Sequence, residues 1–195
     1  MSNRASQNIV TLTLSPSLDC STRTASIFPQ SKIRCQAPVF EPGGGGINVS
    51  RVITRLGGHS TPIYPCGGST GQHLTALLEK EDITGHSVPC AQWTRQNLNV
   101  AVECDAQQYR FIMPGAQLSA DELAAIQELV LRECSAYLVI SGSLPSEVPS
   151  NFVINLVKKC SQQGIRVVFD SSGDALRAVV NGAELYLVKP NAREL

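Results

Sequence analysis

The chain has 195 residues, of which 43% are hydrophobic, and its 16 Lys+Arg and 16 Asp+Glu residues give a formal net charge of +0. Such a length and composition fit one globular domain with a substantial core, and the balanced charge disfavours nucleic acid or an anionic membrane as a partner. No apolar stretch approaches the roughly 18 to 20 residues of a membrane span. We therefore expect a soluble cytoplasmic protein.

The seven cysteines are an odd number, and no two of them have C-x-x-C spacing. This pattern predicts neither a disulfide framework nor a zinc site. We expect most of the cysteines to be small buried side chains in a reducing cytosol.

The N-terminal region is predicted to begin with a strand that ends in a polar loop. Residues 9–14 are rich in β-branched side chains, and Asp19 lies in the loop that follows. In open α/β sheets ligands bind beyond the carboxyl ends of strands, so Asp19 is a candidate ligand-binding residue, with an Asx turn or helix cap as the alternative. The short segments 21–27 and 32–36 predict a peripheral hairpin with one solvated face.

Four consecutive glycines precede a predicted amphipathic helix: Gly43, Gly44, Gly45 and Gly46. The apolar residues of that helix have i, i+3, i+4, i+7 spacing: Val49, Val52, Ile53 and Leu56. Glycines at a helix start allow positive φ and a close ligand approach, and the free N–H groups there favour an anion. Asn48 adds a side chain that both donates and accepts hydrogen bonds. The alternative is a flexible linker, which would usually continue in Ser, Gly or Pro.

Further strands and helices are predicted in alternation. A second glycine-rich loop, residues 66–71, lies between a short strand at 61–64 and a helix. Between Trp93 and residue 113, apolar and polar residues alternate over 98–104 and a second segment, 109–113, follows a short polar turn, which predicts an antiparallel hairpin. Residues 119–122, Ser-Ala-Asp-Glu, form a capping-box signature at the start of another helix.

Three short apolar runs near the C-terminus are typical of parallel strands that are buried on both faces: residues 137–140, 165–169 and 185–188. One helix between them carries Val153, Leu156, Val157 and Cys160 on one face, and a second lies near residues 174–180. The whole pattern predicts a βαβ core with helices on both faces and a separate β-layer made of two hairpins.

Several polar loops would meet at the carboxyl edge of such a sheet. They contain Asp19, Arg95 with Asn97, Ser141 to Ser143, Asp170 and Lys189. Carboxylates, cations and backbone amides together suit a sugar phosphate and a nucleotide. The alternatives are a solvated surface cation for Arg95, a tight turn for 141–143 and a helix cap for Asp170. An NAD enzyme is disfavoured, because G-x-G-x-x-G is not matched in its usual context.

Five segments together resemble the PfkB (ribokinase-like) carbohydrate kinase family: TLTLSPSLD at 11–19, EPGGGGINV at 41–49, WTRQN at 93–97, VISGSLP at 139–145 and VKPN at 188–191. The resemblance extends in order over essentially the whole chain. It implies a three-layer α/β/α sandwich with a small β-sheet lid, formed by about 20–40 and 93–113, with the core in the remainder. It also implies a homodimer through the lids. The implied reaction transfers the γ-phosphoryl group of MgATP to fructose 6-phosphate and yields fructose 1,6-bisphosphate in glycolysis.

The same resemblance implies roles for individual residues. On the sugar side, Asp19 would hold the hydroxyls, Gly43, Gly44, Gly45, Gly46, Asn48 and Ser143 would contact the substrate, and Arg95 would bind the 6-phosphate. On the nucleotide side, Lys32 would neutralise the transferring phosphoryl group, Lys189 and Asn191 would face the ATP phosphates, and Asn191 with Glu194 would organise Mg²⁺ through water.

The sequence departs from the family in one respect, because it contains no G-A-G-D segment. In the family this segment supplies the general-base aspartate and the anion hole, so the resemblance implies a C-terminally truncated, incomplete kinase domain with little activity of its own. Two alternatives stay open. The substrate could be that of a 1-phosphofructokinase or a tagatose-6-phosphate kinase, or the chain could bind a sugar phosphate without catalysis.

Overall fold

The computed structural model describes residues 8–145 and 148–190. The elements in chain order are β1 (Ile9–Leu12), β2 (Ser17–Thr24), β3 (Val39–Gly43), α1 (Gly45–Arg55), β4 (Thr61–Cys66), α2 (Gly68–Lys80), β5 (His86–Pro89), β6 (Arg95–Val102), β7 (Gln108–Phe111), α3 (Ala120–Glu133), β8 (Tyr137–Ser141), α4 (Ser150–Gln162), β9 (Arg166–Asp170), α5 (Gly173–Gly182) and β10 (Leu187–Val188). None of the described helices has the length and apolar character that a bilayer crossing requires.

The large sheet has the strand order β10-β9-β8-β1-β4-β5, and its paired strands are parallel. Helices α1 and α2 pack on one face, and α3, α4 and α5 pack on the other. The predicted α/β sandwich is therefore confirmed. From the centre of the sheet, β4 and β5 follow on the side of β1, and β9 and β10 follow on the side of β8. Open α/β sheets bind their ligands in the crevice at the carboxyl ends of two such central strands.

Two hydrophobic clusters cover the faces of this sheet. Successive residues of β4 point to opposite faces, so Ile63 belongs to the cluster under α3 and α4, and Tyr64 to the cluster under α1 and α2. The face predicted for α4 is confirmed, because Val153, Leu156 and Val157 are completely buried. Burial of an aliphatic side chain of this size contributes about 1.5–3 kcal/mol.

Helix α1 is present as predicted, but the prediction of its apolar face was wrong. Val52 and Leu56 are 51% and 81% exposed, whereas Ser50 is completely buried. The Ser50 Oγ lies 2.8 Å from Thr11 Oγ1 of β1 and accepts a hydrogen bond from Ser60 Oγ at 2.9 Å. The packed face of α1 thus consists of Ile47 together with the small residues Gly46 and Ser50, which let the helix approach β1 closely, and hydropathy does not report the small residues.

The small sheet has the strand order β3-β2-β6-β7. The predicted second hairpin is confirmed as the antiparallel pair β6–β7. The hairpin predicted at 21–27 and 32–36 is wrong, because β2 begins at Ser17, pairs with residues 39–43, and is followed by a strand-free segment at 25–38. The other edge of β2 pairs in parallel with β6, a partner far away in the sequence that local patterns cannot reveal.

A capping box closes the N-terminus of α3, as predicted. Glu122 Oε2 accepts the Ser119 N–H at 2.7 Å, and Glu122 Oε1 accepts the Ala91 N–H at 2.7 Å. Burial acts to raise the pKa of the Glu122 carboxyl, but the hydrogen bonds from Ser119 and Ala91 outweigh it and lower the pKa. Glu122 therefore joins the helix cap to the segment that follows β5.

Replacing Glu122 by alanine is expected to destabilise the fold by about 1 kcal/mol at pH 7, the usual contribution of a helix cap. Because the folded-state pKa is lowered, this contribution is present above the unfolded pKa of about 4.3 and is lost as the pH falls through the folded value. Urea unfolding of both proteins between pH 7 and pH 3 measures it. The control is Glu128→Ala, at an exposed position of the same helix. Equal losses for the two variants would contradict the role of the cap.

Candidate active site

The glycine run lies between the carboxyl ends of β1 and β8. Gly44, the N-cap of α1, has φ 118°, a conformation that favours glycine. A Cβ on Gly45 would lie 2.5 Å from the backbone nitrogen of Gly142, which follows β8. The Ile47 N–H donates to Thr13 Oγ1, just beyond β1, at 2.9 Å. The start of α1 is therefore in contact with the ends of both central strands.

At the glycines of the run, other atoms of the protein occupy the space that a Cβ would need. A Cβ on Gly43 would lie 2.7 Å from the Asp19 carboxyl carbon, and one on Gly46 would lie 2.6 Å from Thr13 Oγ1. A ligand at these glycines would consequently meet their backbone groups. Asn48, on the first turn of α1, is exposed.

Asp19 belongs to β2, so its predicted place in a loop after β1 was wrong. The reason is that Ser17 already pairs with both β3 and β6, and the loop ends before it. The Asp19 Oδ1 atom accepts hydrogen bonds from Ser17 Oγ at 2.8 Å and from Asn97 Nδ2 at 2.9 Å. Within the described part of the chain, Oδ2 receives no hydrogen bond. This oxygen can accept a ligand hydroxyl.

Arg95 begins β6 and connects the small sheet to the loops at the carboxyl edge. Its Nη2 donates to the Ser15 carbonyl at 3.0 Å and to Ser143 Oγ at 3.3 Å, and its Nη1 donates to the Met113 carbonyl at 3.0 Å. Its Nε is buried and has no hydrogen-bond partner among the described residues. Burial lowers the pKa of Arg95 and the charge of Asp19 acts in the opposite direction, but an arginine remains charged at neutral pH. The site thus holds a partly desolvated cation with a free donor.

A second polar group lies at the ends of β8, β9 and β10. Lys189 Nζ is 3.4 Å from Asp170 Oδ1, and Ser141 Oγ donates to Asp170 Oδ2 at 2.9 Å. Ser141 and Asp170 are register partners on neighbouring strands, a relation that their spacing in the sequence does not show. Asp170 does not cap α5, whose N-cap is Ser172.

The structure brings some of the predicted site residues together and not others. Asp19 with Gly43 forms one pair and Arg95 with Ser143 another, and Asn97 and Met113 link the two by hydrogen bonds. Lys32 is exposed in the strand-free segment 25–38 and forms no salt bridge within the described residues. Asn191 and Glu194 lie outside the described residues. Asn97, which orients Asp19, was predicted only as a polar residue of the edge.

Comparison with known proteins adds to this geometry. Residues 8–195 match the family described as pfkB family carbohydrate kinase. The chain belongs to this family. It is 53% identical over 188 residues to the ATP-dependent 6-phosphofructokinase isozyme 2 of Escherichia coli K12, a match that covers 96% of this chain and 61% of the relative. The chain therefore spans about three fifths of the length of this relative.

Two solved structures of the E. coli protein have the same fold as this pfkB-family chain. Phosphofructokinase-2 in complex with fructose-6-phosphate superposes with a TM-score of 0.92 at 53% identity, over 96% of this chain and 62% of that one. The tetrameric inhibited form of phosphofructokinase-2 gives a TM-score of 0.91 at 52% identity, again over 96% and 62%.

Phosphoryl transfer in kinases uses Mg²⁺, which is bound by oxygen ligands. No cluster of three or more His, Cys, Asp or Glu side chains able to hold a metal occurs in residues 8–145 and 148–190. Mg²⁺ usually keeps several waters and binds one or two carboxylates together with substrate phosphates. Asp170 supplies one carboxylate at the sheet edge, and within the described residues its two oxygens already pair with Lys189 and Ser141.

Proposed function

We propose that this chain carries the sugar-phosphate site of an ATP-dependent 6-phosphofructokinase, which phosphorylates fructose 6-phosphate to fructose 1,6-bisphosphate in glycolysis. The observation that carries the proposal is the presence at one site of Asp19 and Arg95: among the described residues, one carboxylate oxygen of Asp19 receives no hydrogen bond and the buried Nε of Arg95 makes none. The names of the E. coli relatives support the choice of substrate and of ATP.

The two groups are spaced for a phosphorylated sugar. Asn97 and Arg95 lie two residues apart on β6 and so share one face of the small sheet, about 6.6 Å apart. Asp19 is the register partner of Asn97 on β2. In the proposed complex Asp19 accepts sugar hydroxyls and Arg95 binds the 6-phosphate, because a guanidinium offers paired donors to phosphate oxygens. Ser143, Asn48 and the backbone of residues 43–46 complete the contacts.

The nucleotide would bind at the ends of β9 and β10. Phosphoryl transfer depends mainly on positioning and on cations around the phosphates. Lys189 supplies one cation, and Asp170 holds it at the sheet edge. The roles of Lys32 at the transferring phosphoryl group, and of Asn191 and Glu194 with Mg²⁺, stay predictions that rest on the family resemblance.

Calorimetry with three sugar phosphates tests the proposal. The 195-residue chain is titrated with fructose 6-phosphate, fructose 1-phosphate and tagatose 6-phosphate, and we expect the first to bind most tightly. Tighter binding of either of the others would replace the assignment by a 1-phosphofructokinase or a tagatose-6-phosphate kinase. Absence of heat with all three would overturn the sugar-phosphate site. A coupled ADP assay then separates binding from catalysis, and we expect little turnover because no G-A-G-D segment occurs in the sequence.

We also propose that two copies associate through the small sheet, which would act as a lid over the site. Large apolar side chains on and beside this sheet are exposed to solvent: Phe28 by 62%, Ile112 by 61%, Phe111 by 47% and Met113 by 43%. Clustered apolar surface of this kind marks an interaction site. The tetrameric form of the E. coli protein supports self-association without fixing the number of copies.

Light scattering at micromolar concentration is expected to give twice the 20.9 kDa mass of one chain. Replacing Phe28 and Ile112 together by aspartate should shift the mass to that of a monomer, because it puts charge into the apolar contact. The control is Leu56→Asp, at the residue that follows α1 and is 81% exposed, which should stay dimeric. A monomeric wild-type protein would contradict the proposal, and so would dissociation by Leu56→Asp alone.

A cytoplasmic location completes the proposal. All seven cysteines are free in the structure, and Cys20, Cys134 and Cys160 are buried. Free thiols are typical of a reducing compartment, which is also where ATP and sugar phosphates are available.

A further inference from the structure

The second glycine-rich loop fits closely against the segment that leads into β6. At three of its glycines a Cβ would clash with this segment. A Cβ on Gly67 would overlap the carbonyl oxygen of Gln92, one on Gly68 would overlap the ring of Trp93, and one on Gly71 would lie 2.8 Å from Thr94 Oγ1. Gly68 also has φ 64°, so glycine is favoured there on conformational grounds as well. We call Gly67, Gly68, Thr70 and Gly71 the α2 seat.

Thr94 is bound to the α2 seat by all of its polar groups. Its N–H donates to the Gly67 carbonyl at 2.9 Å, and its Oγ1 accepts the Gly67 N–H at 3.2 Å. Its carbonyl accepts a hydrogen bond from Thr70 Oγ1 at 2.6 Å. The residue is only 4% exposed. Three hydrogen bonds and a fitted backbone therefore fix the chain at the position immediately before Arg95.

The guanidinium of Arg95 depends on where that position is held. Arg95 is at the start of β6, and its carbonyl partners Ser15 and Met113 belong to other parts of the chain. Its Nε has no hydrogen-bond partner within residues 8–145 and 148–190. A shift of the preceding residue would move the guanidinium relative to these carbonyls and let its donors turn to other acceptors, because a long side chain has many rotamers.

We propose that Thr94 is a positioning residue for phosphate recognition: through the α2 seat it holds Arg95 so that the guanidinium faces the sugar phosphate. The inference rests on the proposed role of Arg95. It gives the second glycine-rich loop a function separate from that of the glycine run at α1.

Thr94→Val isolates the hydroxyl, because valine has nearly the same shape and keeps both backbone hydrogen bonds. The variant leaves the buried Gly67 N–H unsatisfied, and the segment must shift to relieve it. Thr94→Ser keeps the hydroxyl and should behave as the wild-type protein does. The matched control is Thr75→Val on α2. The hydroxyl of Thr75 lies 3.1 Å from the Tyr64 hydroxyl and takes no part in the α2 seat.

The first readout is the fluorescence of Trp93, the single tryptophan of the chain. Trp93 is 64% exposed and the covered part of its ring lies on Gly68, so loosening of the seat should further increase acrylamide quenching and shift the emission maximum. We expect these changes for Thr94→Val and not for Thr94→Ser or Thr75→Val. Quenching of Thr94→Val equal to that of the wild-type protein would overturn the seat. Circular dichroism verifies that each variant is folded.

The second readout is the affinity for fructose 6-phosphate in a double-mutant cycle. We expect Thr94→Val to weaken binding about fivefold, the size of one lost hydrogen bond, and to have no further effect in an Arg95→Ala background. If Thr94 did not act through Arg95, the losses of binding free energy from the two substitutions would add. Equal effects of Thr94→Val on affinity in the wild-type and Arg95→Ala backgrounds would therefore overturn the positioning role.

Failure of the proposed function is distinguishable from failure of this inference. If the wild-type chain binds no sugar phosphate, the proposed function has failed, and the Arg95 Nε–H resonance in a ¹⁵N-labelled protein then decides the positioning role without a ligand. A shifted and broadened resonance in Thr94→Val, restored in Thr94→Ser, supports that role. An unchanged resonance overturns it.

Discussion

Replacing Arg95 by alanine is expected to weaken fructose 6-phosphate binding about a hundredfold, the largest loss for a single side chain at this site. A charge-assisted hydrogen bond contributes about 1.5–3 kcal/mol, and every 1.4 kcal/mol corresponds to a tenfold change in affinity. The guanidinium of Arg95 is partly buried and already held by the Ser15 and Met113 carbonyls, so little ordering remains to be done on binding. Calorimetry of the variant and the wild-type chain measures the loss.

Two further variants separate the shape of Arg95 from its charge. Arg95→Lys keeps the charge but cannot offer paired planar donors, so it should recover only part of the affinity. Arg132→Ala removes an exposed arginine of α3 that pairs with Glu133, and it should bind fructose 6-phosphate as the wild-type protein does. An Arg95→Ala affinity within twofold of wild type would remove Arg95 from the phosphate site.

The parts of the fold that are specified locally could be predicted from the sequence. The capping box at Ser119 and Glu122 follows from a pattern of four residues. The buried face of α4 follows from helical spacing, because it packs through aliphatic side chains. The same local logic placed the glycine run at the start of α1 and the hairpin of β6 and β7.

The parts that depend on distant partners could not be predicted. The start of strand β2, residues 17–19 after Pro16, reads locally as a loop, and it becomes a strand because β3 and β6 pair with its two edges. The buried face of α1 was missed because only one of its three buried residues, Ile47, is a large apolar residue, while Gly46 and Ser50 permit close approach and carry no apolar signal.

In the candidate site, too, some residues could be predicted from local motifs and others depend on distant partners. Asp19 and Arg95 were predicted from their motifs, whereas Asn97, which donates a hydrogen bond to the Asp19 carboxylate, is brought to it only by the register of β2 and β6. The small sheet therefore does more than cover the site, because both of its paired central strands supply the groups that would meet the sugar.

Replacing Gly45 by alanine is expected to lower the free energy of unfolding by about 3 kcal/mol, at the upper end of the usual cost of overpacking. The new Cβ would lie 2.5 Å from the backbone nitrogen of Gly142 and from the carbonyl carbon of Ser141. Neither atom can move freely, since the Gly142 N–H donates to the Asp170 carbonyl at 2.9 Å and Ser141 pairs with β9. Alanine is otherwise the better helix former by about 1 kcal/mol, so a net loss would mean that the clash outweighs propensity.

Thermal unfolding followed by circular dichroism measures this change. For a chain of this length 1 kcal/mol shifts Tm by about 2–4 °C, so we expect a fall of about 10 °C for Gly45→Ala. The same variant should weaken fructose 6-phosphate binding, because pushing α1 away from Gly142 also displaces Ser143 from Arg95. Gly58→Ala is the control, since its Cβ would meet the movable Ile53 Cγ2 at 3.0 Å, and we expect a Tm close to that of the wild-type protein. A Gly45→Ala protein as stable as wild type would show that the contact between α1 and β8 is looser than the structure indicates.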